Sequence, residues 1–190
     1  MKVKFAVTIM IVLLLAACGP IIGGVMVSSN GVKDFKVTTG QLSDLNAGSR
    51  VLIVAPFATT PESFYICRGE DASVFVDAFN EIGLFSADFH MESRFEDNQK
   101  LIAELKKKSA DEIKSSLHLR DTPQILLTGT ILRRETVAAP AQGVIMAVAY
   151  RLEFYNLDTA KKTVVEIDIK DKFQECIRTA VKKLTEQIVG

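Results

Sequence analysis

The sequence has no tryptophan, two histidines, three cysteines and five prolines in 190 residues, and no surplus of either charge, with 23 Lys+Arg against 23 Asp+Glu. That balance excludes the basic footprint of a typical nucleic-acid binder and the acidic excess of a disordered tail. The histidines offer little to a zinc site: neither His90 nor His118 has a second histidine or a carboxylate at ligand spacing. Both read as solvated or hydrogen-bonded structural residues, and no metal or cofactor is expected. A Gly-rich phosphate loop is missing, because Gly23-Gly24 precedes no helix. The domain also lacks a G-x-S-x-G elbow and an S-x-x-K acylation motif, and Ser28 and Ser29 read as linker. The sequence names no catalytic residue, shows no internal repeat or low-complexity tract, and points away from an enzyme.

What is present starts at the amino terminus. The overall hydrophobic fraction of 48% is inflated by the first 17 residues, 14 of which are apolar. Lys2 and Lys4 form a short positive region, and Phe5 to Leu15 follow as an uncharged apolar run. That run is shorter than the roughly 20 apolar residues of a membrane-spanning helix. It suits the hydrophobic region of a secretory signal, with small residues before the cut. The segment Leu15-Ala16-Ala17-Cys18 resembles the lipobox of bacterial lipoproteins, an aliphatic residue and two small ones before cysteine. The resemblance implies that residues 1–17 are removed and that the Cys18 thiol is acylated, so that Cys18 binds the protein to membrane lipid. Without Lys2 and Lys4 the product carries 21 cationic against 23 anionic side chains. A diacylglycerol and an amide-linked chain together anchor stably where one chain is marginal. Gly19, rather than Asp, implies sorting to the outer membrane, the lipid anchor facing the periplasm; the inner membrane is the alternative. The competing readings of this terminus are an uncleaved anchor and a plain signal peptide with a coincidental cysteine.

Residues 18–49 read as a lipidated tether and lead-in. Gly19 to Gly31 is punctuated by Gly, Pro and Ser, although Ile21, Ile22, Val25, Met26 and Val27 are more apolar than a spacer needs. They lie on the membrane surface or dock onto the domain. Val32 to Gly48 reads as a short strand followed by a turn or helix, broken at Thr38 to Gly40. Residues 50–190 form a single α/β domain. Val51 to Phe57 is a continuous apolar run suited to a strand covered on both faces. Glu70-Asp71 open a helix to Ile82, with Ala72, Phe75, Val76, Phe79 and Ile82 at helical spacing and Gly83 ending it. Leu84 to Met91 is a second strand. Asp97 to Lys108 is a helix, and Ser109 with Glu112 forms a capping box that opens another. Gln124 to Arg134 is a third strand. Beyond Pro140 to Gly143, Met146, Val148, Tyr150, Leu152 and Phe154 alternate with polar residues in a fourth. Val165, Ile167 and Ile169 mark a fifth, and Phe173 to Val189 is an amphipathic helix that carries Phe173 on its apolar stripe. The expectation is a mixed sheet of about five strands in the order β-α-β-αα-β-β-β-α. The first three strands are parallel through helical crossovers, and helices pack on one face or on both.

The elements Val51 to Phe57, Ile125 to Thr130 and Tyr150 to Asp158 resemble those of envelope proteins with the amino-terminal fold of TolB. These include the curli-secretion lipoprotein and the lipoprotein activators of penicillin-binding proteins. The likeness covers roughly residues 50–189 in element order and hydrophobic spacing, so it implies fold rather than function. In an oxidising periplasm, Cys67 and Cys176 are expected to form a disulfide. Cys67 precedes the first helix and Cys176 begins the last, at one sheet edge. Closing that loop of about 110 residues is worth about 4 to 5 kcal/mol in the chain-entropy model. Two separated or buried thiols are the alternative, with a reactive cysteine behind them.

Two charged runs read as solvated features: Lys106-Lys107-Lys108 at a helix end, and Arg133-Arg134-Glu135 at the polar end of a strand. The hairpin connection is unusual in being small and apolar. Val137, Ala138, Ala139 and Pro140 either rest on the domain or contact a partner protein, lipid or another copy of the chain. The function that fits best is a non-enzymatic envelope lipoprotein that binds a partner envelope protein as scaffold, activator or assembly factor. An auxiliary lipoprotein of a lipid-transport system, a small periplasmic hydrolase and an oligomeric secretion pore are the alternatives, in that order. A pore needs longer amphipathic hairpins than these connections offer.

Overall fold

The computed structural model describes residues 30–63, 70–92, 95–138 and 143–190. Cys18, Cys67, Ala139 and Pro140 therefore lie outside the described residues. The strands are β1 (Gly31–Thr39), β2 (Arg50–Ala55), β3 (Ala58–Thr59), β4 (Ser86–Met91), β5 (Ile125–Ala138), β6 (Ile145–Asn156) and β7 (Lys162–Lys172). The helices are α1 (Glu70–Ile82), α2 (Phe95–Leu105), α3 (Ala110–Leu117) and α4 (Cys176–Val189). The sheet order is β1-β7-β6-β5-β2-β4, with β3 paired to β5 off that path. As expected from the helical crossovers, β2 runs parallel to both β4 and β5. The meander β5-β6-β7-β1 is antiparallel.

The α/β class agrees with the sequence reading, but the sheet has seven strands rather than about five. One addition is β1, which falls inside the lead-in 18–49 and pairs with β7 along the sheet edge. Only Val32 and Phe35 of β1 pack against the core, so an edge strand of this kind leaves little hydrophobic signal. The other is β3, a two-residue piece that continues the line of β2 beyond Pro56 and borrows its hydrogen bonds from β5.

Burial explains the long apolar run of β2. Val51, Ile53 and Ala55 join the main core under α1 and α4, whereas Leu52 and Val54 join a second cluster with Ile102, Leu105 and Ile113 of α2 and α3. Helices therefore cover both faces of β2. On the α2 and α3 side the cover stops short of β6 and β7. The bare face there carries ion pairs between strands: Arg133 to Asp168 at 2.8 Å, Arg151 to Glu166 at 2.8 Å and Lys162 to Glu153 at 3.5 Å. The capping box of α3 forms as expected, with Glu112 N donating to Ser109 Oγ at 3.3 Å and Ser109 N to Glu112 Oε2 at 2.7 Å. The last helix starts later than its apolar stripe suggested. Phe173 sits in a single 3-10 turn before α4, 47% exposed, with its backbone N–H donating to the Val144 carbonyl at 2.9 Å.

The main core is aromatic. Phe75 meets Tyr150 edge-on at 5.2 Å and lies 5.7 Å from Phe57, and the chain of rings continues through Phe79 and Phe85 to Phe154. Phe57 packs flat on Gly129 of β5, where a Cβ would stand 2.4 Å from the ring. Gly129→Ala should displace that ring and lower unfolding free energy by about 1 to 3 kcal/mol. Urea denaturation monitored by circular dichroism measures this; an unchanged midpoint would mean that Phe57 has room to move.

Candidate functional site

The topology gathers one end of the molecule from distant parts of the sequence. β5 and β7 finish there and β6 begins there. β1 begins there too, since Gly31 pairs with Lys170. Because β2 and β7 run in the same direction, the first turns of α1 and α4 face the same end, as the sequence reading required for Cys67 and Cys176 to approach.

Beneath this end lies a polar cluster within the apolar core. Arg134 of β5 donates through Nη2 to Asp71 Oδ2 in the first turn of α1 and, at 3.2 Å, to the Tyr150 hydroxyl. Tyr150 donates in turn to Asp71 Oδ2 at 3.2 Å. The Arg134 side chain is only 2% exposed. Burial pushes the Asp71 carboxyl above its ordinary value while Arg134 and the tyrosine hydroxyl pull the other way. The Tyr150 hydroxyl is driven well up by the same burial, with the Asp71 charge adding to it. Arg134 stays cationic: burial is outweighed by its two partners. The sequence reading placed Arg134 with Arg133 at the polar end of a strand. A register shift between Ile131 and Arg133 corrects this. It turns Arg134 to the face that Ile131 had occupied, and leaves Arg133 on the bare face with Asp168 and Glu135.

Above the cluster the surface is apolar. Val137 and Val144 are each 41% exposed and flank the last strand pair, Ala138 with Ile145. Phe173 is held against Val144 by its backbone hydrogen bond. The exposure of Val137 shows that this part of the connection does not rest wholly on the domain. Ala138 is half-buried, and Ala139 and Pro140 lie outside the described residues.

Cys176 is a free, buried thiol. Its Sγ donates to the carbonyls of Lys172 at 3.4 Å and Asp171 at 3.7 Å. Burial first, and then the Asp171 charge, push it up to about 11. No disulfide is seen among the described residues, and Cys67 lies outside them. His90 does have a carboxylate at hand, contrary to the spacing argument: Glu92, two positions along, places Oε1 3.1 Å from Nε2. His118 closes α3 in the left-handed conformation at φ 54°. Lys106 lies just past the end of α2, 5.2 Å above the Tyr155 ring. Among the described residues, no three His, Cys, Asp or Glu side chains come together as metal ligands.

One polar cleft of about 370 Å³ opens beside β2 and β5, lined by Pro56, Asn98, Thr128, Thr130 and Glu153. Asn98 donates to the Pro56 carbonyl at 2.8 Å, and Glu153 is engaged by Lys162. Among the described residues, no hydroxyl there is hydrogen-bonded to a base that would activate it.

No protein-family model matches the chain, and no curated protein matches it. Solved structures do. The PelC dodecamer from Paraburkholderia phytofirmans is 12% identical, with a TM-score of 0.50, over 82% of this chain and 98% of that one. A single-substitution variant of the same protein gives 13% and 0.46 over 82% and 94%. The hypothetical protein CT253 from Chlamydia trachomatis gives 10% and 0.40 over 75% and 94%. At these identities the PelC likeness shows the fold alone.

Two outcomes test the buried cluster and the thiol. Asp71→Ala leaves the Arg134 guanidinium buried without its anion and should cost about 3 to 5 kcal/mol, whereas Asp71→Leu combined with Arg134→Met should restore most of it. Chemical denaturation of the three proteins reads both; a single-variant loss under about 1 kcal/mol would show that the pair is hydrated. In reduced protein at neutral pH, Cys176 should alkylate at least about 100-fold more slowly than an unfolded thiol, because little thiolate exists at that pH and water does not reach it. Mass spectrometry of iodoacetamide-treated native and urea-unfolded samples gives the ratio, and equal rates would contradict the burial.

Proposed function

We propose that this chain is a membrane-anchored lipoprotein of the bacterial cell envelope, without enzymatic activity, that binds a partner envelope protein as scaffold, activator or assembly factor. The reading is carried by Leu15-Ala16-Ala17-Cys18 behind a short apolar run with Lys2 and Lys4 before it. Cys176 is the one cysteine described, and its raised pKa suits a packed thiol rather than a nucleophile. The alternative in the same envelope setting is an auxiliary lipoprotein of a lipid-transport or secretion system.

The resemblance to the TolB amino-terminal fold and the likeness to PelC bear on architecture, not on the partner. Assembly as a dodecamer is a property of PelC. For this chain, self-association is a proposal that the same crosslinking experiment reads through homotypic adducts. The outer membrane, with the domain in the periplasm, is the proposed location.

Mass spectrometry of the membrane-extracted protein should find an amino terminus at Cys18 carrying diacylglycerol and a further acyl chain. Cys18→Ser should move the protein out of the membrane fraction. An intact leader, or a Cys18→Ser form that stays fully membrane-bound, overturns the anchor. Crosslinking in cells should trap a defined envelope protein, and the lack of any specific adduct overturns the scaffold role.

A further inference from the structure

We infer that the exposed apolar rim formed by Val137, Val144 and Phe173 docks the domain against the lipid surface to which Cys18 anchors it, so that the hairpin end faces the bilayer and the β6-β7 turn faces away. The inference rests on the lipoprotein reading above and adds an orientation to it. Three observations choose lipid as the occupant.

The first is where the anchored segment joins the fold. Cys18 lies 13 residues before Gly31, the first residue of β1. Gly31 pairs with Lys170, three positions before Phe173, so the chain coming from the anchor meets the sheet at the end that carries the rim. A segment of that length spans at most about 45 Å. The rim is therefore held near the bilayer at high effective concentration, and modest apolar contacts suffice to set orientation.

The second is the chemistry of the rim. Val137 and Val144 are each 41% exposed and Phe173 is 47% exposed. They project from the ends of paired strands and a one-turn helix, where the backbone hydrogen bonds are already made within the sheet. The third is charge. Around the rim Arg133, Lys170 and Lys172 stand against Glu135, Asp171 and Glu175. The surface is close to neutral, without the basic cluster that selects anionic lipids. Contact through the rim is thus expected on zwitterionic bilayers and should resist salt.

Because the sequence has no tryptophan, one introduced tryptophan reports its own depth. The acylated full-length protein, with Phe173→Trp or Val144→Trp, is placed in phosphatidylcholine vesicles with or without brominated acyl chains. A third variant carries Asp158→Trp in the exposed β6-β7 turn at the opposite end. Brominated lipid should quench both rim tryptophans at least twofold and leave Asp158→Trp unchanged, at low and high salt alike. Rim tryptophans that stay unquenched while the acylated protein remains vesicle-bound overturn the docking and leave the anchor standing. A protein that carries no acyl group and does not sediment with the vesicles overturns the anchor itself, and the docking with it. The two rim positions guard against one variant that misfolds, and circular dichroism identifies it.

Discussion

A guanidinium in an apolar core is tolerable only if its charge is paired, and Arg134 is paired through Nη2 with groups from two other elements, while its Nε is buried without a hydrogen-bond partner. Asp71 comes from the first turn of α1, Tyr150 from the middle of β6, and Arg134 itself from β5 beyond its register shift. The loop after β2 must therefore return α1 so that its amino-terminal turn meets β5. An acid in a first helical turn is already favoured by the helix dipole, so the same carboxylate serves the helix and the arginine. Cys176 lies close enough to feel both charges, which places the start of α4 beside the cluster as well. One ion pair thus sets the register between helix layer and sheet at the end where β1 also begins. Such a pair contributes less to net stability than well-packed hydrophobic residues would; its effect is to make one arrangement of these elements much better than its neighbours.

The sheet is used unequally. β2 is covered on both faces, and its composition follows from that. β6 and β7 are covered only on the side of α1 and α4, and their other side holds arginines, lysines and carboxylates in cross-strand pairs. Exposed pairs of this kind add little stability. They keep a wide, flat sheet face soluble, and they leave it without the apolar surface a tight interface needs. The same division explains the cores: the larger is shared by α1, α4 and most of the sheet, whereas the smaller lies only where α2 and α3 sit over β2 and β5.

Much of this was legible in the residues, wherever a pattern is local and repeated. The alternation from Met146 to Phe154 named the inward face of β6. The unbroken run from Val51 named a doubly covered strand, and Ser109 with Glu112 named the start of α3. The misses have physical causes. β1 reads as a short strand, but with few apolar residues, as an edge strand has, it was not counted in the sheet. Phe173 fits the stripe of α4 by spacing, but residues 173–175 form a 3-10 turn that leads into it. Arg134 is the instructive case: with strict alternation it would point away from the helices, and only the extra residue between Ile131 and Arg133 turns it inward. A bulge has no reliable sequence mark, and the partner that makes burial tolerable, Asp71, is 63 residues away. The apolar character of the hairpin connection was visible in Val137 and Ala138. Its neighbours Val144 and Phe173 became part of the same surface only once β6 and β7 were paired.

The lengths of the strands decide where leftover apolar surface can occur. β2 and β4 have six residues each, whereas β5, β6 and β7 have 14, 12 and 11. The three long strands extend past the shorter part of the sheet, and in that extension the backbones are satisfied by pairing of β6 with β5 and β7 and of β7 with the start of β1. Antiparallel pairing does this, so the extension is stable without a covering helix on both faces. Its face on the bare side can then be charged, and its inner face is closed by Arg134 and the start of α4. Among the described residues at the extreme end, Val137, Val144 and Phe173 remain exposed. Whatever meets this end must accept a small apolar rim with balanced charges around it. On the proposed lipoprotein reading, the chain running back toward Cys18 leaves from the same place, so a bilayer is the surface that reaches it without any further assembly.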